Sequence, residues 1–69
     1  MTIELKNLHW FYSDHKYIGF SETGMLLKDE FSNNAIYIDE GNVWFGYFEY
    51  DIFTSVMTGE WRDDYELQI

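Results

Sequence analysis

Cysteine and proline are both absent from this 69-residue sequence, and basic side chains are scarce, with four Lys and Arg against thirteen Asp and Glu. The lack of cysteine excludes disulfides, cysteine-based zinc sites, iron–sulfur clusters and thiol catalysis. With no proline, and no linker, repeat or low-complexity segment, nothing marks an internal boundary, so residues 1–69 read as a single domain. The shortage of Lys and Arg leaves no basic patch for direct nucleic-acid binding. A glycine-rich phosphate loop and a Gly-x-Ser-x-Gly elbow are missing too, which removes the usual parts for nucleotide binding and hydrolase chemistry. No apolar run approaches the ~20 residues of a membrane span, and Met1–Trp10 has no basic start followed by an apolar stretch. A cytoplasmic, non-membrane protein is expected.

A chain this short hides only about 60% of the surface its unfolded form exposes, so stability must come from packing or from a partner chain. Aromatic residues are abundant: six Phe, six Tyr and three Trp make 22% of the chain. Each buries roughly 150–250 Å² when fully enclosed, and one small core does not enclose fifteen. Some are therefore expected at an interface.

The net charge of −9 is unevenly placed. Residues 1–28 hold Glu4, Asp14 and Glu22 against Lys6, Lys16 and Lys28, and are neutral overall. Residues 29–69 hold ten acids against Arg62 alone and carry the whole imbalance. Such a surface repels nucleic acid and anionic membrane and attracts basic partners. Hydrophobic content of 46% argues against disorder.

Polar clusters at Ser13-Asp14-His15-Lys16, Glu22-Thr23-Gly24, Ser32-Asn33-Asn34, Asp39-Glu40-Gly41-Asn42 and Thr58-Gly59 punctuate β-branched and aromatic runs. This spacing predicts antiparallel strands joined by short turns. Period-two alternation agrees, with Trp61, Asp63, Tyr65, Leu67 and Ile69 on one side and charge on the other, and with Ile36 and Ile38 set against Tyr37 and Asp39. The apolar parity switches near Lys6-Asn7, which predicts a bulge or kink. Residues 43–53 are apolar on both parities until Glu49, as in a central strand or one that lends a face to a partner, and Gly46 predicts a bend, a bulge or a close backbone approach. Residues 50–58 read as strand from their Ile, Phe, Thr and Val content, with a single helical turn lined by Phe53, Val56 and Met57 as the alternative. The expected fold is all-β, or β-dominated α+β: a small antiparallel meander of five or six strands forming a curled sheet or small barrel.

No catalytic residue, metal site or cofactor is expected. His9 and His15 with scattered carboxylates fall short of a zinc ligand set, and read more simply as a neighbour of a buried Trp10 and a solvated turn residue. Adjacent acids such as Asp39/Glu40 and Asp63/Asp64 lack the desolvated cleft that separates an acid from a base. What stands out is acid interleaved with aromatic in the second half. Asp39, Glu40, Trp44, Glu49, Tyr50, Asp51, Glu60, Trp61, Asp63, Asp64 and Glu66 form the expected partner-binding set, and Trp44, Phe45, Tyr47 and Phe48 the expected homodimer interface. Acids at i and i+2 on a strand stand about 6.5–7 Å apart on one side, a spacing comparable to successive phosphates. Glu49/Asp51 and Asp64/Glu66 have that sequence spacing.

Two classes of function are expected from this. The first is an acidic inhibitor that occupies the basic surface of a nucleic-acid-binding protein. In composition the chain is similar to small acidic phage and mobile-element proteins directed against restriction or CRISPR machinery, and a nuclease immunity protein falls in the same physical class. The second is a structural or assembly module whose acids only keep it soluble.

Overall fold

A computed structural model describes residues 1–60, so the alternating segment with Trp61, Asp63, Asp64 and Glu66 lies outside the described residues. The rest is strand and turn: β1 (Thr2–Glu4), β2 (His9–Ser13), β3 (Lys16–Phe20), β4 (Met25–Asp29), β5 (Asn34–Asp39), β6 (Asn42–Glu49) and β7 (Ile52–Gly59). All neighbours pair antiparallel in the order β1-β7-β6-β5-β4-β3-β2. The described segment thus holds seven strands where the sequence predicts five or six in the whole chain.

Three two-residue turns close hairpins, each with both central residues at positive φ: Asp14-His15, Glu40-Gly41 and Tyr50-Asp51. That backbone matches the right-handed twist of the flanking strands. Tyr50 is a poor residue for it, which is why the sequence reads through this turn. Thr58-Gly59, expected as punctuation, instead lies within β7 opposite Trp44 and Val43.

β1 and β2 are consecutive in the chain yet sit at opposite ends of the sheet order. Seven strands laid flat at about 4.8 Å spacing would separate them by roughly 29 Å. The segment from Glu4 to His9 reaches only roughly 17 Å when fully extended. The sheet must therefore curl, and it forms a half-barrel with extents of 26 × 25 × 24 Å. The break between β1 and β2 falls where the apolar parity switches, with Asn7 at φ 58°.

Both faces of the sheet bury apolar side chains. The concave face gathers Leu5, Leu26, Ala35, Tyr37, Phe48 and Phe53, with Ile3, Leu8 and Trp44 packed on. Trp10 of β2 reaches Phe48 of β6 across the interior, ring centroids 6.1 Å apart, although three strands lie between theirs in the sheet. Ile18, Leu27, Ile38 and Val43 form the other cluster, with Phe20, Met25, Ile36 and Phe45 against it. Tyr37, on the side of β5 that the alternation gives to charge, is almost fully buried. It stacks on Trp44 at 5.8 Å and its hydroxyl meets Thr23 Oγ1 at 2.9 Å, so the phenol keeps a partner inside the core.

The β6–β7 register shifts at Phe45/Gly46: Phe45 faces Met57 and Gly46 faces Ser55, leaving Val56 unpaired. This is the bulge that Gly46 predicts. A Cβ on Gly46 would overlap the Thr54 carbonyl oxygen, so the two backbones approach this closely only with glycine there.

Candidate functional site

The register sorts the acids by strand end. Asp39 closes β5 and Glu40 sits in the following turn; Val43 pairs with Gly59, which brings Glu60 alongside that turn. Glu49, Tyr50 and Asp51 occupy the opposite end of the β6–β7 hairpin, about 23 Å away along β6. The described acids of the expected set therefore form two ends and no single stripe, while Trp44 packs on the concave cluster.

Asp51 is also not on a strand. Its φ of 62° places it in the turn, so Glu49 and Asp51 lack the strand geometry that their sequence spacing implies. The backbone there is well tied, since the Leu5 N–H donates to the Asp51 carbonyl at 2.8 Å. Between the two acids Tyr50 is 88% exposed, more than any other large hydrophobic among the described residues. Among those residues, Asp39, Glu40, Glu49, Asp51 and Glu60 form no ion pair and no side-chain hydrogen bond. Glu40, Glu49, Asp51 and Glu60 are exposed, and Asp39 is half-buried.

The expected oligomer residues divide differently. Phe48 is buried against the concave cluster and Trp44 stacks on Tyr37, so neither presents an open surface. A core role replaces the interface role for Phe48. Tyr47 remains exposed, and Phe45 lines a shallow apolar groove of about 450 Å³ together with Leu27, Ile36, Val56 and Met57.

A second acidic cluster escapes the sequence reading. Glu30 accepts from the Tyr12 hydroxyl at 2.9 Å through Oε1, and its Oε2 lies 2.8 Å from His15 Nδ1. The Phe31 ring lies beside His15 with centroids 6.1 Å apart. His15 is therefore not merely solvated, and Trp10 beside His9 is half-exposed where the sequence predicts burial. The hydrogen bond that the protonated His15 donates to Glu30 raises the His15 pKa, and the bonds Glu30 accepts from His15 and Tyr12 lower its own. Tyr12 is raised for the same reason, by its hydrogen bond to Glu30. Asp29 is occupied as well, its Oδ2 accepting from the Phe31 N–H and the Ser32 hydroxyl. No local motif announces this cluster. It exists because Lys16 pairs with Asp29, which sets the β2–β3 turn beside the loop after β4.

No family model matches the chain, and neither a curated protein nor a solved structure is significantly similar to it.

Proposed function

We propose that this chain is a small acidic binding protein, without catalytic activity, that inhibits a nucleic-acid-processing protein by occupying its basic surface. The observation that carries the reading is the Glu49-Tyr50-Asp51 tip. It presents two carboxylates without cations among the described residues, flanking the most exposed large aromatic there, on a hairpin held by backbone hydrogen bonds. Charge of this kind speeds encounter with a basic partner, while an aromatic that becomes desolvated on binding slows departure. Asp39, Glu40 and Glu60 give the opposite end a second acidic surface. A phage- or mobile-element-borne inhibitor of CRISPR or restriction enzymes, or a nuclease immunity protein, has this chemistry.

The test is capture of partners by the immobilised chain at low and at high salt. Retention of a nucleic-acid-binding protein at low salt, lost steeply as salt rises, supports the proposal. The apolar groove at Leu27, Ile36, Phe45, Val56 and Met57 favours a second reading, an assembly module held by apolar contact. Capture insensitive to salt supports that reading instead.

A further inference from the structure

We infer that the free edge of β2 pairs with the β2 edge of a second copy of this chain, antiparallel about a two-fold axis at Phe11. The inference stands apart from the acidic tip and does not depend on it. Among the described residues β2 is a terminal strand, bonded to β3 on one side only. The two-residue turn makes Ser13 and Lys16, which flank it, a hydrogen-bonded pair. By alternation Phe11 and His9 also bond to β3, and the N–H and C=O groups of Trp10 and Tyr12 point outward. Such a row is a template for an added strand, and proteins usually blunt it with charge, proline, a bulge or a very short strand. At the other end of the sheet order β1 is blunted in this way: it has three residues and ends in Glu4, which pairs with Lys6 at 3.6 Å. β2 reads His-Trp-Phe-Tyr-Ser and has none of these devices.

Self-complementarity identifies the occupant. Centred on Phe11, the pairing sets Trp10 against Tyr12 of the second copy twice over, and His9 against Ser13 twice over. The outward groups of Trp10 and Tyr12 then exchange four hydrogen bonds. Phe11 meets its own symmetry mate in a non-hydrogen-bonded pair, where side chains approach most closely. Trp10, Phe11 and Tyr12 are 43%, 48% and 52% exposed, so all three have surface left to bury. Charge agrees: no acid or lysine lies on β2, and residues 1–28 are neutral although the chain carries −9. Two copies meeting here set no acid of one paired strand against an acid of the other. The surface is small, which places the dimer in the weak, micromolar class.

The full chain tests this cleanly because it has no cysteine. Sedimentation at tens to hundreds of micromolar should give twice the 8.4 kDa chain mass. Phe11→Lys, which places like charges face to face, should return it to monomer with an unchanged far-ultraviolet spectrum. Because that variant is open to loss of fold, Phe11→Cys provides a second readout. The two Cα atoms at a non-hydrogen-bonded pair lie about 4.5 Å apart, within disulfide reach. Mild oxidation should convert Phe11→Cys to covalent dimer at least tenfold faster than Val56→Cys, an exposed control in the β7 bulge. A monomeric parent overturns the inference. So does a dimeric parent whose Phe11→Cys variant cross-links no faster than the control, since the contact then lies elsewhere.

Discussion

His15 and Glu30 are fifteen residues apart in the chain, yet His15 Nδ1 lies 2.8 Å from Glu30 Oε2, joining the β2–β3 turn to the loop after β4. Glu30 holds the protonated imidazole, so the His15 pKa is raised above its ordinary 6.5, and the stabilisation it contributes is complete below that value. It is lost as pH climbs through the raised value. The Glu30 pKa is lowered from 4.5, so its contribution is complete above 4.5 and lost as pH falls through the lowered value. The pair therefore contributes most between about pH 4.5 and 6.5. His15→Ala should lower the melting temperature more at pH 5.5 than at pH 9. Equal losses at the two pH values would show that the pair does not hold the loops together.

Gly46 and Gly41 should respond differently to alanine. At Gly46 the new Cβ overlaps the Thr54 carbonyl oxygen, so the β6–β7 ladder must shift, at a cost of about 3 kcal/mol or more. Gly41 has φ 83° in an open turn with nothing near the added carbon, so only backbone strain of roughly 1–2 kcal/mol applies. Urea unfolding of the two variants gives the order directly.

Core substitutions should separate packing from hydrogen bonding. Phe53→Ala empties the centre of the concave cluster and should cost about 3–5 kcal/mol. Tyr37→Phe keeps the ring on Trp44 and removes only the hydroxyl bond to Thr23, a loss of about 1 kcal/mol. Similar losses for the two would mean that the Thr23 bond anchors the β3–β4 loop to a degree that its single contact does not explain.

Much of this architecture was legible from sequence chemistry. Asp14-His15 and Glu40-Gly41 stand in polar clusters between apolar runs, and both became hairpin turns. The parity switch at Lys6-Asn7 marked where the chain leaves one sheet edge for the other. Tyr50-Asp51 was illegible because tyrosine is a strand former in most settings, and the tight turn overrides that preference. The second buried face was also hidden: period two assigns one side of β5 to charge, whereas curling encloses Tyr37 on that side. For the candidate site, composition gave the excess of acids but not their division between two ends, which follows from hairpin register alone.

The tip acids should act as contacts and not as structure. Glu49→Gln with Asp51→Asn replaces both carboxylates by amides of nearly equal shape, and Asn tolerates the positive φ at position 51. The melting temperature should stay close to that of the parent. Binding to a captured basic partner should weaken about tenfold and its salt dependence should flatten. Unchanged affinity and an unchanged salt slope would remove the tip from the interface.

Competition tests the central claim most directly. A labelled oligonucleotide is bound to the captured partner, and this protein is added while the displaced label is followed at fixed salt. Occupation of the basic surface predicts complete displacement, with an apparent affinity for the oligonucleotide that falls in proportion to the concentration of this protein. A stable ternary complex, with oligonucleotide and protein bound together and neither weakening the other, would contradict it.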